Sequence, residues 1–302
     1  MTSSVPPAHR GPRDPGDAWV EHADGRKFWG RFGAAGLVVV DPARGILLQH
    51  RVEWSHFGGT WGIPGGARHL GEDAIAGALR ESAEEAAVRP DLLRPIATHL
   101  YDIGVWSYTT LVAETTESFE VHPTDAESVE LRWVPLAEVD GFPLHPAFEA
   151  AWPVLRTVLD APPVLVVDGA NVVGSRPDGW WRDRPGAATR LFDRLSALAA
   201  AGLPAAELGV AGFERVWPRI VLVVEGQAKA LAVPPPTDAA VPAVELVLAE
   251  QDGDAAIVEV VAGLGGSPLV ITADRGLGGR VTELGARLAG PGWLLEQLDA
   301  LD

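Results

Sequence analysis

Three glutamates on one predicted helix turn are the residues of this chain best suited to chemistry. Glu81, Glu84 and Glu85 stand at positions i, i+3 and i+4 within the segment from Gly66 to Val88. On a helix these positions share one face, and like charges so close destabilise it by roughly 0.2–0.5 kcal/mol per pair. The cluster therefore indicates either a bound cation or a face that is simply well solvated.

The neighbouring residues favour the cation. Arg80 precedes Glu84 by four positions and can brace it, and two glycines, Gly65 and Gly66, let backbone carbonyls approach a metal or phosphate closely. Oxygen ligands without a cluster of thiolates or imidazoles favour Mg²⁺ or Mn²⁺ over zinc. Another face of the helix carries the apolar side chains that can dock it on a core: Ile75, Leu79 and Ala86.

The spacing resembles the Nudix box, whose consensus is GX5EX7REUXEEXGU, where U is a bulky aliphatic residue. Gly66 is followed after five residues by Glu72, after seven more by Arg80-Glu81, and then by Glu84-Glu85. The resemblance implies an α/β/α sandwich with a mixed sheet over about residues 20–158.

Two positions depart from the consensus. Ser82 replaces the first bulky apolar residue, and Ala87 replaces the last glycine. The glutamates are intact, so the departures bear on local packing more than on activity.

The resemblance also implies roles for individual residues. The glutamate triplet, with the carbonyl of Gly65 or Gly66, would hold one or more Mg²⁺ ions, and Glu72 and Arg80 would be structural or orienting. Glu127 stands where related proteins carry a further ligand or a general base, and the alternative is a surface charge before a strand. The predicted catalytic and metal-binding set is Gly66, Arg80, Glu81, Glu84, Glu85 and Glu127.

The implied reaction is hydrolysis of a phosphoanhydride bond in a nucleoside diphosphate derivative or a nucleoside triphosphate. Metal ions neutralise the pyrophosphate and lower the pKa of a bound water, which attacks one phosphorus. The box does not specify the substrate, so an oxidised nucleoside triphosphate, a nucleotide sugar, ADP-ribose and a dinucleoside polyphosphate stay open. Five rings are candidates for stacking on the base, with core or surface filler as the alternative for each: Trp54, His56, Phe57, Trp106 and Tyr108.

A second acidic pattern occupies the C-terminal half. The apolar run Val164–Val167 ends in Asp168-Gly-Ala-Asn171, Asp254 precedes a predicted helix, and Asp274 follows the run Leu269–Thr272. Acids at strand ends of an open α/β sheet meet where such folds build their sites, and three of them can bind Mg²⁺. The alternative is that each Asp caps a helix or a turn.

This pattern resembles the NYN branch of the PIN-like nucleases over about residues 163–302. The resemblance implies a second metal site with Asp168, Asn171, Asp254 and Asp274. Ala255 stands where a second Asp is common, which puts full nuclease activity in question, and Glu250 or Asp252 could substitute. Side chains that can contact RNA phosphates or stack on its bases follow, with solvated loop residues as the alternative: Arg176, Arg182, Arg184, Arg275, Arg280, Trp180 and Trp181.

Composition restricts the partners. The net charge is −17, with 13 basic and 23 acidic residues up to residue 160 and 11 and 18 after it, which argues against nonspecific, high-affinity RNA binding. The absence of cysteine excludes disulfides and thiolate sites. We expect no secretory signal and no membrane span, and therefore a cytoplasmic enzyme. A homodimer is expected only because Nudix relatives are often dimers.

The predicted organisation is α/β throughout: a disordered tail over 1–18, a Nudix domain over 19–160, and a PIN-like, Rossmann-like domain over 161–302. Ala161-Pro162-Pro163 marks the boundary, after which fully apolar runs alternate with helical stretches, as in a parallel sheet covered on both faces. Three functions are carried forward. They are a Nudix enzyme with an appended domain that binds or cuts RNA, an RNA-processing protein with an accessory or nucleotide-sensing Nudix domain, and a binding module with inactive sites.

Overall fold

The structure is a computed structural model that describes residues 14–177, 179–232, 244–250 and 252–301. It contains two compact units. One runs to Thr157 and includes Gly212–Glu214, and the other comprises Val158–Ala211 and the chain from Arg215 onward. That residues 19–160 and 161–302 are separate functional domains stays a prediction.

The predicted tail over 1–18 is only partly described. Residues 1–13 lie outside the described residues. Within residues 14–18, Asp17 N–H donates to the Asp14 carbonyl at 2.9 Å, and Arg31 N–H donates to the Gly16 carbonyl at 2.8 Å. That residues 1–18 form a disordered tail stays a prediction.

The first unit is built around a mixed sheet. Its elements in chain order are β1 (Trp19–Glu21), β2 (Lys27–Trp29), β3 (Ala34–Asp41), β4 (Gly45–Arg51), β5 (Trp61–Gly62), β6 (Gly65–Ala67), α1 (Ala74–Ala86), β7 (Leu93–Asp102), β8 (Ser107–Thr115), β9 (Ser128–Val134) and α2 (Pro146–Asp160). β3 lies at the centre, parallel to β8 and antiparallel to β4 and β6. β7 adds to β8, and β5 and β9 add to β4, all antiparallel. The expected mixed sheet is confirmed.

Alternation along β3 explains where α1 packs. Ala35, Leu37 and Val39 point to one face and form a core with Ala78 and Ala86 of α1. Partly buried apolar side chains of the same helix complete that contact: Ala74, Ile75 and Leu79. Docking by this face leaves the glutamate face of α1 available for a site.

The second unit is built around a parallel sheet. Its elements are β10 (Val164–Asp168), α3 (Gly169–Gly174), α4 (Arg184–Ala201), β11 (Leu203–Pro204), β12 (Arg215–Val216), β13 (Arg219–Val224), β14 (Val244–Leu248), α5 (Gly253–Gly263), β15 (Leu269–Ile271), α6 (Arg275–Glu283), β16 (Arg287–Ala289) and α7 (Pro291–Asp299). The order is β14-β13-β10-β15-β16, every pair is parallel, and β11 and β12 form a short antiparallel pair. The predicted parallel sheet is confirmed.

The chain changes from helix to strand over a few residues in this unit: α6 ends at Glu283 and β16 starts at Arg287. Gly285 has a φ of 88°, which ends the helical path and turns the chain into the sheet. Among the described residues, none of the helices is both long and apolar enough to cross a bilayer.

Candidate functional site

Helix α1 is fixed at both ends by local interactions. The Asp73 side chain accepts the Ala76 N–H at 2.9 Å, which satisfies one of the free N–H groups of the first turn. At the other end Ala87 adopts a left-handed φ of 53° and donates its N–H to Ala83. Ala87 is where the box consensus has glycine, so its conformation gives the physical reason for that consensus.

Arg80 holds the helix face together. It binds Glu72 with two hydrogen bonds of 2.8 and 2.9 Å and donates to the Ala67 carbonyl at 2.9 Å. Its Nη1 also donates to Glu81 at 2.8 Å and Glu84 at 3.1 Å. The bracing of Glu84 expected from the i, i+4 spacing is present, and Arg80 partly neutralises both glutamates.

Glu81 lies against Gly66. A Cβ at Gly66 would stand 2.7 Å from the Glu81 carboxylate carbon, so only glycine leaves the carboxylate in this position. The Glu81 side chain is 16% exposed, whereas that of Glu84 is 60% exposed. Burial raises the pKa of Glu81, although Arg80 acts against the rise.

Glu85 is the buried member of the triplet, with 8% of its surface exposed. The donors that it accepts from are neutral: Gln49 Nε2 at 3.1 Å and the Gly65 N–H at 3.2 Å. Burial, reinforced by the charges of Glu81 and Asp125, raises its pKa to about 8.

A loop brings two more carboxylates to Glu85. Thr124 donates its N–H to the Glu85 carbonyl at 3.2 Å and its hydroxyl to the Glu84 carbonyl, which satisfies free carbonyls at the end of α1. The following Asp125 and Glu127 then reach Glu85, and the three side chains offer oxygens that all lie within 4.8 Å of one another.

These residues fit a divalent cation. Three carboxylates converge in the part of the chain that is described, and like charges so close favour a bound positive charge. Gln49 Oε1, beside Glu85, is buried and has no hydrogen-bond partner among the described residues. An oxygen without a partner, next to a carboxylate held by neutral donors, suits a cation or its bound water.

The glutamates are therefore not equivalent. The cluster joins Glu85 to Asp125 and Glu127 and does not include Glu81 or Glu84. Glu81 lies next to it, since its charge raises the pKa of Glu85. Gly66 lies beside the Glu81 carboxylate, and the backbone N–H of Gly65, not a carbonyl, is what contacts Glu85.

The aromatic candidates lie in three different settings. Trp54 is half-buried, and Phe57 is 47% exposed with a left-handed φ of 55°. Trp106 stacks on Phe28 with centroids 4.7 Å apart. Tyr108 has its hydroxyl against Gly36, and burial, together with the charge of Glu85, raises its pKa. Tyr108 is thus close to the acidic cluster.

The predicted C-terminal acids lie near one another at one edge of the parallel sheet, since their charges act on one another. Asp168 ends β10 and accepts hydrogen bonds from the Asn171 N–H at 3.0 Å and the Thr272 hydroxyl at 2.9 Å. The Asn171 side chain in turn accepts the Ala273 N–H at 3.0 Å. Burial, with the charges of Glu225 and Asp274, raises the pKa of Asp168.

Helix capping accounts for part of this arrangement. Asp168 caps α3, and Asp274 caps α6 by accepting the Leu277 N–H at 2.9 Å. For Asp254 the capping alternative was wrong, because Asp252 caps α5. Within the described residues, the oxygens of the C-terminal acids do not converge within 4.8 Å as a triplet.

Asp125, Gln49 and Glu225 were not predicted. Glu225 accepts the Gly253 N–H at 2.9 Å, and after burial its charge is one of the causes that raise the pKa of Asp168, so Glu225 lies close to that acid. A signal for Glu225 existed: the apolar run Ile220–Val224 ends in it, just as Val164–Val167 ends in Asp168.

The basic and aromatic residues suggested for RNA are partly engaged. Arg176 contacts Asp299 at 3.2 Å, and Arg280 lies 4.0 Å from Asp254. The Arg184 guanidinium lies over the Trp180 ring at 5.5 Å, and the adjacent Trp181 is 52% exposed. Arg182 ends a short 3₁₀ helix and Arg275 begins α6.

Comparison with known proteins gives a family match within the first unit and relatives of the same family. The family model described as NUDIX domain matches residues 30–158. "Putative 8-oxo-dGTP diphosphatase 3" of Mycobacterium tuberculosis is 44% identical over 176 residues, which cover 55% of this chain and 81% of that protein. "Nucleoside triphosphate pyrophosphatase/Nudix hydrolase fusion protein" of Bifidobacterium longum is 44% identical over 154 residues, 48% of this chain and 32% of that protein. A crystal structure of a Nudix hydrolase from M. smegmatis is 42% identical, covers 48% of this chain and 95% of that chain, and has a TM-score of 0.44.

Proposed function

This chain belongs to the Nudix family and is a hydrolase of phosphoanhydride bonds, and we propose that its first unit is a Mg²⁺-dependent nucleotide pyrophosphohydrolase. The observation that carries the proposal is the convergence of Glu85, Asp125 and Glu127 beside the box helix. The substrate class is a nucleoside triphosphate or another nucleoside diphosphate derivative. The name of the M. tuberculosis relative places 8-oxo-dGTP first among the compounds to test.

Each residue has a role in this proposal. Glu85, Asp125 and Glu127 would hold the cation, with Glu81 beside them, and Glu127 alternatively takes the proton of the attacking water. Arg80 keeps Glu81 and Glu84 in place through its hydrogen bonds. When bound, the cation would neutralise the pyrophosphate and lower the pKa of the water. The products are a nucleoside monophosphate and a second phosphate compound.

The test measures the formation of nucleoside monophosphate from a panel of nucleotides with Mg²⁺. The panel contains 8-oxo-dGTP, dGTP, ADP-ribose, a nucleotide sugar and a dinucleoside polyphosphate. We expect activity on one class that collapses in Glu84→Gln and Glu127→Gln and survives in Glu138→Gln, an exposed acid of the same unit. Activity that persists in Glu127→Gln removes that residue from the mechanism. The absence of activity on every compound contradicts the proposal.

A second candidate function concerns the C-terminal unit. We propose that residues 161–302 bind or cut RNA with a cation at the edge where Asp168, Asp254 and Asp274 stand. Support comes from the raised pKa of Asp168 and of Asp254, each caused first by burial and then by neighbouring acids. Ala255 weighs against full nuclease activity, and Glu225 offers a replacement carboxylate.

RNA cleavage separates the two candidates. A single-stranded RNA with Mg²⁺ or Mn²⁺ should be cut by the wild type and not by Asp168→Asn, while Glu84→Gln leaves RNA cleavage unchanged. Binding without cleavage would leave a binding module, and neither binding nor cleavage would reject the RNA assignment. Nucleotide hydrolysis that persists unchanged in Asp168→Asn would show that it does not require this edge.

A further inference from the structure

A hairpin that precedes the matched Nudix residues carries two exposed tryptophans. β1 and β2 pair so that Trp19 lies directly opposite Trp29, with ring centroids 5.2 Å apart and edge-to-face. Trp19 is 52% and Trp29 37% exposed. The family model begins at residue 30, so the hairpin adds to the matched domain.

The rings continue into a loop of the first unit. His56 lies 6.0 Å from Trp19, Phe57 lies 4.2 Å from His56, and His145 lies 4.9 Å from Phe57. We call Trp19, Trp29, His56, Phe57 and His145 the aromatic platform. Contiguous exposed aromatic surface of this kind marks binding sites more often than isolated exposed rings do.

The platform is fixed in place. Trp106 donates its indole N–H to the Trp29 carbonyl at 3.0 Å and stacks on Phe28, the residue before it. Trp106 also lies 6.2 Å from Tyr108 on β8. A platform anchored to the sheet in this way loses little conformational entropy when a ligand binds.

Arg51 connects the platform to the acidic cluster. Its Nε donates to the His56 carbonyl at 3.3 Å. Its charge adds to the lowering of the His145 pKa that burial causes, and it opposes the rise that burial causes in the pKa of Tyr108. Tyr108 also senses the charge of Glu85. Arg51 pairs with Ser128 across β4 and β9, and the adjacent Val52 donates its N–H to the Glu127 carbonyl at 3.0 Å, so a positive charge lies close to both the aromatic surface and the loop of the proposed cation site.

We propose that the aromatic platform binds the base of the nucleotide substrate, and that it favours a purine. This inference rests on the proposed nucleotide hydrolysis and adds which residues recognise the base. A nucleotide fits the order in which the platform, Arg51 and the cation site follow one another. Its planar, uncharged base suits the platform, and its phosphates suit Arg51 and the cation. A purine covers more of the linked rings than a pyrimidine does.

The charges of the platform support an uncharged ring over a cationic group. Partial burial and Arg51 lower the pKa of His56, and burial, Arg51 and His56 lower that of His145 to about 4, so both imidazoles are neutral at pH 7. A neutral imidazole has one donor and one acceptor nitrogen; in His145 the Nδ1 accepts the Ala147 N–H at 3.2 Å, which leaves its Nε2–H as a donor for the edge of a base. Arg51 repels a cationic ligand at the same place.

The experiment measures equilibrium binding of dGMP, dCMP and inorganic pyrophosphate to the full chain with Mg²⁺ by calorimetry. Binding does not require turnover, so the result is independent of whether hydrolysis is found. Trp19→Ala should weaken dGMP binding by about tenfold, as for loss of one base-stacking ring. Pyrophosphate binding should stay unchanged, and dGMP should bind more tightly than dCMP. Trp19→Phe should retain most of the affinity for dGMP.

Leu284→Ala is the control, because Leu284 is an exposed apolar side chain (44%) in the other unit and belongs to neither proposed site. Equal dGMP affinity in Trp19→Ala and wild type, or no dGMP binding by the wild type, overturns the inference. If Trp19→Ala instead converts a dimer to a monomer with dGMP affinity unchanged, the platform is a self-association surface and the inference is also overturned. Intact dGMP binding with no hydrolysis of any nucleotide would reject the proposed function alone.

Discussion

Gly66→Ala is expected to disable the enzyme without unfolding it. The added Cβ would stand 2.7 Å from the Glu81 carboxylate, where ordinary contact begins at 3.4 Å, so the carboxylate must move by about 0.7 Å. Glu81 is the end of a flexible side chain, which can move at little cost in stability. A displacement approaching 1 Å at a catalytic group can cost on the order of 100-fold in rate, so we expect kcat/KM to fall by roughly 10- to 100-fold.

The assay compares kcat/KM and the urea midpoint for Gly66→Ala, with Gly141→Ala as the control because a Cβ there meets nothing within 4 Å. In a Glu81→Gln background the same change should cost little more, because the group that it displaces has already lost its function. The reasoning is refuted if the losses in kcat/KM from Gly66→Ala and Glu81→Gln multiply in the double variant. It is also refuted if Gly66→Ala alone keeps the wild-type kcat/KM. Gly65→Ala provides the contrast, since its Cβ would lie 2.5 Å from the Ala35 carbonyl and should cost stability first.

Three further predictions concern stability and metal binding. Ala87→Gly should raise the free energy of unfolding by about 1 kcal/mol in urea titration, because it relieves a left-handed φ of 53°; an unchanged midpoint would contradict this. Hydrogen bonds from Arg80 lower the pKa of Glu72 from 4.5 to about 2, so its stabilisation is present above pH 4.5 and lost as the pH falls towards 2. As the pH falls from 4.5 to 2, Glu72→Gln should therefore lose on the order of 2 kcal/mol less free energy of unfolding than the wild type. An equal loss in both proteins would argue against this role. Removal of Mg²⁺ by EDTA should lower Tm. Glu127→Gln should raise Tm in EDTA, because one of three like charges is removed, and should reduce the increase in Tm that Mg²⁺ causes. An equal increase in Tm on adding Mg²⁺ to wild type and Glu127→Gln would exclude Glu127 as a ligand.

Local pattern was sufficient to predict the elements that carry the sites. The 3.6-residue repeat places Ile75 and Leu79 on the core face of α1, and the structure packs them there. Apolar runs without alternation predicted the parallel strands, because a strand buried on both faces has no polar side. The hairpin of β1 and β2 was not predicted, because the residues before Trp19 are rich in Pro and Gly and indicate a tail.

Long-range placement was not available from the sequence. Asp125 lies 40 residues beyond Glu85 in a loop without periodicity, and hydrogen bonds from the backbone N–H and the hydroxyl of Thr124 to carbonyls at the end of α1 bring it there. Those bonds satisfy free carbonyls at the end of a helix. Every helix end has such carbonyls and many segments could satisfy them, so the sequence does not indicate which segment does. Glu127 was suggested only through the family resemblance, which includes the long-range information that spacing lacks.

The structure also separates residues that the motif presents as equal. Arg80 bonds to Glu81 and Glu84 and leaves Glu85 to neutral donors, while the loop adds two carboxylates to Glu85 alone. The three glutamates share a helix face, but the charge around each one depends on the side chains that contact it from other parts of the chain. Because Glu85 combines burial with uncompensated like charge, it has the strongest requirement for a cation. Exposed Glu84, partly neutralised by Arg80, is better placed to contact the substrate or its water than to anchor the metal.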